Sequence, residues 1–196
     1  LKKRKLPTLW PAPYLRPIQE LKALRVYFLA IIKGMIIIII GVSGCGKTTI
    51  GQLLSQEIGL SFYDADDFHP QNNIDKMVTN IPLTDDDRKS WLMDLSERIR
   101  QWCSSGGAIL ACSALKESYR TLLTSKINEV KFVYLSGSRE LIKKRIENRR
   151  DHFMQLSLLE SQFDTLEVPT YGLHITIDHS PEEIINCITS EFQINE

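Results

Sequence analysis

The sequence lacks the features that mark nucleic-acid-binding, membrane-spanning or disulfide-rich proteins. Its 24 Lys and Arg residues are balanced by 24 Asp and Glu residues, so the whole chain has no excess positive charge to attract nucleic acid or an anionic membrane. Its longest apolar tract, residues 26–42, is interrupted by Lys33 and is short for a membrane span of about 20 residues. Its four cysteines form no CxxC pair, which indicates reduced thiols and a cytoplasmic location. We therefore expect neither a nucleic-acid partner nor a membrane anchor.

The first 34 residues differ from the rest of the chain. They contain eight Lys and Arg residues against one acid, Glu20, and four of the eight prolines, and they show no sustained helical or strand period. We predict that residues 1–34 form an N-terminal extension and that residues 35–196 form one domain. Met35 stands directly before the first strand pattern and is a candidate natural start. A basic targeting segment is the alternative, and the scarcity of serine counts against it.

From Met35 onwards, strand and helix patterns alternate. Residues 35–40 read MIIIII, which is typical of a parallel strand buried on both faces. An amphipathic helix follows and stops at Gly59, and Thr84 is a good N-cap for a longer helix. Further strand patterns cover residues 60–66, 108–114, 131–137 and 173–178. The alternation predicts a doubly wound α/β fold, a five-stranded and mostly parallel sheet flanked by helices, with ligands beyond the carboxyl ends of the strands.

The strongest local motif lies directly after the first strand. Residues 41–48 read GVSGCGKT and fit the P-loop pattern G-x-x-x-x-G-K-[ST] between a strand and a helix; the alternative is a chance glycine-rich turn. In a P-loop the backbone N–H groups turn toward the phosphates, Lys47 reaches the β- and γ-phosphates, and Thr48 joins the Mg²⁺ shell. We therefore predict that the chain binds ATP and Mg²⁺. The predicted ATP-binding residues of the loop are Gly41, Val42, Ser43, Gly44, Cys45, Gly46, Lys47, Thr48 and Thr49.

An acidic cluster, YDADDFHP, ends the second strand pattern. Alternation along an extended segment places Asp64 and Asp66 on one side, and in this layout the strand end points at the phosphate loop. Two carboxylates there suit a small-molecule kinase, with one holding a Mg²⁺ water and one receiving the acceptor hydroxyl. The alternative is that these aspartates cap the following helix, which we favour for Asp67.

Six segments carry a resemblance to a known family. They occur in the order GVSGCGKTTIG, FYDADDFHP, PLTDDDRKSWL, ACSALKESYR, YLSG and HFMQLSLLESQFDTLE, and together they resemble the gluconokinases, in the shikimate-kinase-like branch of P-loop kinases. The P-loop is shared with a vast superfamily, whereas CSALK, DADDFHP and SQFDTLE are specific to this family. The resemblance implies ATP-dependent phosphorylation of D-gluconate at its 6-hydroxyl with Mg²⁺ as the metal, and it leaves a homodimer open.

The family pattern also implies roles for matching positions near the acidic cluster. Asp66 resembles the catalytic carboxylate that contacts the acceptor hydroxyl, and Asp64 the carboxylate near the metal. Arg88 resembles an acceptor-binding arginine. For His69 the resemblance implies a place in the substrate pocket, and a loop-fixing role is the alternative.

Basic residues after the third strand are predicted to bind the substrate's carboxylate. Lys116 and Arg120 stand at positions i and i+4, so we expect them to share one helix face and to hold the carboxylate of gluconate. The alternative is a solvated helix face.

The segment KKRIENRRDHF is predicted to form a small lid over the nucleotide. Arg145 and Arg149 lie one helical turn apart. We predict that Arg145 binds ATP and that Arg149 is a catalytic arginine that offsets charge on the γ-phosphate. The alternative is a basic helix end that complements the helix dipole.

Two other functions remain open at this point. Another small hydroxy-acid kinase of the same fold, such as a shikimate kinase, would use a similar set of basic residues. A non-catalytic ATP-binding module would need only the P-loop, and it is disfavoured by the presence of Lys47, Thr48 and Asp66 together with a basic lid.

Overall fold

The five strands in the described part of the chain form one parallel sheet. The computed structural model describes residues 32–79, 81–147 and 156–194. The strands are β1 (Met35–Ile40), β2 (Ser61–Asp64), β3 (Gly107–Ala111), β4 (Lys131–Ser136) and β5 (Leu173–Thr176). Their order in the sheet is β2-β3-β1-β4-β5, and all four pairings are parallel. The predicted α/β fold with a five-stranded sheet is confirmed, and the sheet is wholly parallel rather than mostly so.

Helices connect the strands and begin and end at recognisable signals. They are α1 (Lys47–Ile58), α2 (Gln71–Val78), α3 (Asp85–Ser105), α4 (Glu117–Thr124), α5 (Arg139–Glu147), α6 (Leu156–Thr165) and α7 (Pro181–Glu191), with a 3₁₀ turn at Ala65–Phe68 after β2. The predicted N-cap Thr84 forms a capping box with Asp87. The predicted stop at Gly59 is also confirmed, since this residue ends α1 with a φ of +74°.

The isoleucine run of β1 explains why both faces of the sheet are covered. Ile37 and Ile39 pack into one apolar layer and Ile36, Ile38 and Ile40 into the other, and all five are at most 1% exposed. The first layer includes side chains of α1 and α7, and the second includes side chains of α3 and α4. A central parallel strand needs apolar side chains at every position because helices cover both of its faces.

The strand order places a ligand-binding crevice at the carboxyl end of β1. The chain runs from β1 to β2 and β3 on one side of the sheet and to β4 and β5 on the other. The loops after β1 and β3 therefore diverge, which opens a crevice at this switch point. The phosphate loop follows β1, and the acidic cluster follows β2, one strand beyond β3.

The packed part of the domain begins before the predicted boundary at Met35. Ile32 is 3% exposed and belongs to the apolar core. Gly34 donates its N–H to the carbonyl of Gly106 at 3.0 Å and accepts from the Cys103 thiol at 3.2 Å. The fold thus includes at least residues 32–34 of the predicted extension, while residues 1–31 lie outside the described ranges. Within those ranges, no helix combines the length and apolar character needed to cross a membrane.

Candidate active site

The predicted phosphate loop, residues 41–48, turns sharply between β1 and the start of α1 at Lys47. Gly44 and Gly46 have φ values of +83° and +101°, a region that glycine enters at little cost. A Cβ at Gly44 would lie 2.8 Å from the Ile146 side chain of α5, whereas a Cβ at Gly46 would meet nothing within 4 Å. The loop is therefore packed against α5 on one side and open at the start of α1.

The open side of the loop presents positive charge. Gly46 is the N-cap of α1 and has no side-chain capping bond, so the first N–H groups of α1 and the positive end of its dipole are available for an anion. Lys47 lies across the loop, and its Nζ donates to the carbonyls of Gly41 at 3.0 Å and Val42 at 3.1 Å. This arrangement suits the phosphates of a nucleotide.

A cavity of about 340 Å³ opens beside the phosphate loop on the side of α5 and α7. Arg145 lines it and donates from Nη2 to the carbonyl of Ile177 at 2.6 Å. The cavity wall also contains His179 and Pro181, which sequence reasoning missed because no motif marks the loop after β5. The cavity does not extend to Lys47 or the acidic cluster, so it suits the base and sugar of a nucleotide.

Thr48 and Asp64 meet at the edge of the phosphate loop. The Thr48 hydroxyl donates to Asp64 Oδ2 at 2.8 Å. These hard oxygen ligands fit Mg²⁺, which binds through one or two protein oxygens together with substrate phosphates. In the part of the chain that the structure describes, no group of three or more His, Cys, Asp or Glu side chains could hold a metal alone.

Asp66 lies between the phosphate loop and the acceptor side of the crevice. Burial raises the pKa of its carboxyl group, as do the charges of Asp64 and Asp67, while the Lys47 ammonium opposes the rise. The side chain is nevertheless 70% exposed to water. A ligand could therefore reach Asp66 from the crevice.

A thiol occupies the end of β3, where many P-loop proteins have an aspartate. Burial first, and then the charge of Asp66, raises the pKa of Cys112 to about 12, so this side chain stays neutral. The carboxylates of the site therefore come from the end of β2, at Asp64, and from the 3₁₀ turn that follows it, at Asp66.

The role predicted for Asp67 as a helix cap is wrong. Asp64 performs the capping, since its Oδ1 accepts from the Asp66 N–H at 3.2 Å and it is the N-cap of the 3₁₀ turn. Helix α2 begins after Pro70, which makes no side-chain capping bond. The chain closes a 3₁₀ turn at this point instead of entering the helix directly.

His69 is held by protein contacts and faces Asp66. Its ring stacks on Trp91 with centroids 4.1 Å apart, and its side chain is 4% exposed. The Asn73 amide donates to the Asp87 carbonyl at 2.9 Å and lies 3.3 Å from His69 Nδ1, which assigns the ring proton to Nε2, 3.8 Å from Asp66 Oδ1. Burial, followed by the charge of Arg88, lowers the pKa of His69 to about 4. These contacts favour the loop-fixing alternative.

A second charged cluster joins the starts of α3 and α4. Lys116 Nζ donates to both oxygens of Asp85, at 2.8 and 2.7 Å, and the Tyr119 hydroxyl donates to Oδ1 of the same carboxylate. The Arg88 guanidinium lies 5.8 Å from the centre of the Tyr119 ring and donates to the carbonyl of Leu83. Lys116 and Arg88 were predicted here; Asp85 and Tyr119 were missed, because no local pattern pairs residues of different helices.

The structure does not support the prediction that Arg120 binds substrate. Its side chain is 1% exposed. Its guanidinium donates to the carbonyls of Ala114 at 2.8 Å, Leu115 at 3.2 Å and Glu167 at 2.8 Å, and to the carboxylate of Glu117. It thereby holds the turn at Ala114, which has a φ of +40°.

The shared helix face predicted for Lys116 and Arg120 is also wrong. Lys116 is the N-cap of α4 and has extended backbone, whereas Arg120 lies inside the helix. The two side chains therefore point to different partners.

Gln162 of α6 binds the phosphate loop directly, which sequence reasoning also missed. Its Oε1 accepts from the Ser43 N–H at 2.7 Å, and its Nε2 donates to the Ser43 hydroxyl at 3.1 Å. Five residues later, Glu167 accepts from the Glu117 N–H at 2.6 Å and donates to the Leu115 carbonyl at 2.9 Å. The segment 162–167 thus connects the phosphate loop with the loop that carries Lys116. The predicted catalytic Arg149 lies outside the described residues.

Nearly all of the site lies within a region that matches a known kinase family; of the phosphate loop, only Gly41 and Val42 fall outside it. Residues 43–187 match the family described as Shikimate kinase. A gluconokinase of Arabidopsis thaliana is 40% identical over 173 residues, which cover 80% of this chain and 92% of that protein.

Two solved structures share both the fold and a substantial part of the sequence. A sugar kinase from Janibacter sp. HTCC2649 has a TM-score of 0.78 at 40% identity, over 82% of this chain and 95% of that one. A gluconokinase from Sinorhizobium meliloti 1021 has a TM-score of 0.75 at 36% identity, over 82% of this chain and 92% of that one. With its phosphate loop and acidic cluster on adjoining parts of one crevice, the chain thus belongs to the gluconokinases of the shikimate kinase family.

Proposed function

We propose that this protein transfers the γ-phosphoryl group of ATP to the 6-hydroxyl of D-gluconate, giving 6-phospho-D-gluconate and ADP. The observation that carries the proposal is the place of Asp66 in the acidic cluster. Asp64 accepts from the Asp66 N–H at 3.2 Å and from the Thr48 hydroxyl at 2.8 Å, and the charge of Lys47 acts on the Asp66 carboxyl group. A small-molecule kinase needs a carboxylate at this point to orient and deprotonate an alcohol next to the γ-phosphate.

On the nucleotide side, the phosphate loop holds the triphosphate. The N–H groups at the start of α1 and the Lys47 ammonium bind the β- and γ-phosphates, and these groups stabilise the charge that spreads over the phosphate oxygens during transfer. Arg145 borders the cavity for the base and sugar. Arg149 remains a predicted catalytic arginine on the basis of its sequence position.

Thr48 and Asp64 would hold Mg²⁺, directly or through its waters. Bound there, Mg²⁺ would neutralise charge on the β- and γ-phosphate oxygens. The protein's contribution is to fix the hydroxyl and the carboxylate at 2.8 Å from each other at the edge of the loop.

On the acceptor side, Asp66 accepts the proton of the 6-hydroxyl as that oxygen attacks the γ-phosphorus. His69 lies close by, with Nε2 3.8 Å from Asp66 Oδ1, while Arg88 and Lys116 provide positive charge for the acid end of the substrate. The four cysteines form no disulfide, which fits our proposal of a cytoplasmic enzyme. A homodimer stays a prediction from the family resemblance.

The experiment that tests the function compares acceptors. Purified protein with MgATP is assayed for ADP release with D-gluconate, with shikimate and without an acceptor. We expect release that depends on gluconate. Release that depends on shikimate alone would make the protein a shikimate kinase, and equal release without an acceptor would make it an ATPase.

A further inference from the structure

Lys116 and Tyr119 bind a carboxylate that belongs to the protein itself, and the Arg88 guanidinium lies nearby, 5.8 Å from the centre of the Tyr119 ring. Lys116 Nζ contacts both oxygens of Asp85 at 2.8 and 2.7 Å, and the Tyr119 hydroxyl donates to one of them. The hydrogen bonds from Lys116 and Tyr119, followed by the charge of Arg88, lower the pKa of this carboxyl group. These are the groups with which a protein recognises the carboxylate of a ligand.

A series of contacts links the cluster to Asp66. Arg88 lies 5.8 Å from the centre of the Tyr119 ring, the carbonyl of the preceding Asp87 accepts from Asn73, and Asn73 also contacts His69. Arg88 is the shared neighbour: its charge acts on His69, which faces Asp66, and also on Asp85. An acceptor with a hydroxyl at Asp66 and a carboxylate at its other end would therefore extend from Asp66 past Arg88 toward Lys116. The charge pattern matches a hydroxy acid.

Asp85 is not needed to start helix α3. The capping box is formed by Thr84 and Asp87, and Asp87 is further held by Lys76 at 2.6 Å. The side chain of Asp85 is 63% exposed and that of Lys116 is 28% exposed. Exposed ion pairs contribute little to stability, so replacing the Asp85 carboxylate by the carboxylate of the acceptor at Lys116 requires little free energy.

We propose that Lys116, Tyr119 and Arg88 form the carboxylate subsite of the acceptor pocket, and that Asp85 occupies this subsite until the carboxylate of the acceptor displaces it. The inference rests on the proposed function and deepens it. Asp85 thus acts as an intramolecular competitor, and the apparent affinity for the acceptor is reduced by the fraction of molecules in which Asp85 holds Lys116.

The test compares Asp85→Asn with Asp86→Asn. Both changes remove one negative charge from the first turn of α3, and Asp86 is an exposed residue, so the pair controls for the helix dipole and net charge. We expect Asp85→Asn to lower the KM for gluconate about two- to fivefold, the size expected for removing a weak exposed ion pair. In Asp85→Asn the kcat and the KM for ATP are expected to stay at their wild-type values. In Asp86→Asn the KM for gluconate is expected to stay at its wild-type value as well. An unchanged or raised KM in Asp85→Asn overturns the inference and makes Asp85 a residue that positions Lys116.

A binding measurement separates this inference from the proposed function. Calorimetric titration of D-gluconate into each variant without nucleotide is expected to show tighter binding to Asp85→Asn and weaker binding to Lys116→Met. Tighter binding without any phosphorylation would keep the subsite and refute the function. Phosphorylation of gluconate together with unchanged or weaker gluconate binding to Asp85→Asn would refute the subsite. The absence of gluconate binding to both variants would also refute it. The neutral analogue D-gluconamide should bind wild type and Asp85→Asn equally; tighter binding of this amide to the variant counts against a carboxylate subsite.

Discussion

The nucleotide side and the acceptor side of the crevice are built in different ways. The nucleotide side is made mainly by one continuous segment, residues 41–49, whose backbone and helix start form the phosphate loop. The acceptor side is made by side chains that meet from distant parts of the chain, as in the bonds from Trp91 to Ala65 and from Lys116 to Asp85. We infer that replacing a side chain on the acceptor side should impair phosphoryl transfer or acceptor binding while leaving nucleotide binding largely unchanged.

Among the changes that test this difference between the two sides, Asp66→Asn is expected to have the largest effect on kcat. The amide cannot accept the proton of the acceptor hydroxyl, so kcat should fall about 10²- to 10⁴-fold. Nucleotide affinity should change little, because the phosphate loop is made of backbone groups and Lys47. Steady-state kinetics and ATP titration measure the two quantities. The control is Asp67→Asn on the same 3₁₀ turn, and retained turnover in Asp66→Asn would contradict the assigned role.

Replacement of the buried Arg120 should affect stability more than substrate binding. Arg120→Lys removes the guanidinium donors of the Ala114 and Glu167 carbonyls, which should cost about 3 kcal/mol of unfolding free energy. The Leu115 carbonyl keeps its bond from the Glu167 N–H. Denaturant unfolding measures the loss, with the exposed Arg100→Lys as the control. A selective rise in the KM for gluconate at unchanged stability would instead support the original prediction that Arg120 binds substrate.

Changes to the Thr48–Asp64 pair should alter the metal requirement. Thr48→Val and Asp64→Asn each remove an oxygen ligand or its partner, so the Mg²⁺ concentration for half-maximal rate should rise about 10- to 100-fold. A Mg²⁺ titration at fixed ATP gives this value for each variant. An unchanged Mg²⁺ requirement in both variants would remove the pair from the proposed metal site.

The smallest effect is expected where the two sides are joined. Gln162→Ala removes both bonds to Ser43, so the phosphate loop loses a support and kcat should fall about fivefold, comparable to the loss of one or two hydrogen bonds. Ser43→Ala and the double variant complete a double-mutant cycle, in which contacting residues show a coupling energy of about 0.5–3 kcal/mol. Ser43→Ala keeps the backbone N–H that binds Gln162 Oε1, so additive effects would show that the bond to the Ser43 hydroxyl does not support transfer. Ser161→Ala, at the preceding exposed position, is the control.

The fold follows closely from the sequence because its signals are local. The isoleucine run of β1, the capping residue Thr84 and the stop at Gly59 each act within a few residues, and each is confirmed. The carboxyl ends of the strands follow less closely: β2 and β5 end before their patterns do, and β3 differs most. The strand pattern continued to Ala114, but the strand ends at Ala111, and Ala114 takes a positive φ with its carbonyl held by Arg120.

The acceptor side is harder to predict because its residues are defined by tertiary contacts. The pattern of α4 indicated a basic face, yet Arg120 is buried against carbonyls from two segments. Nothing in the sequence around Asp85 indicates that it pairs with Lys116, or that Gln162 pairs with Ser43. Sequence reasoning therefore identified the charged residues near the crevice, and their partners became apparent only in the folded chain.

The most direct test of the account is the identity of the product. Wild-type protein is incubated with D-gluconate and MgATP, and the product is followed by proton-coupled ³¹P NMR. We predict a phosphomonoester signal split into a triplet, because phosphate on the 6-hydroxyl couples to the two protons of that carbon. A doublet, from phosphate on a secondary hydroxyl, or inorganic phosphate alone would contradict the account.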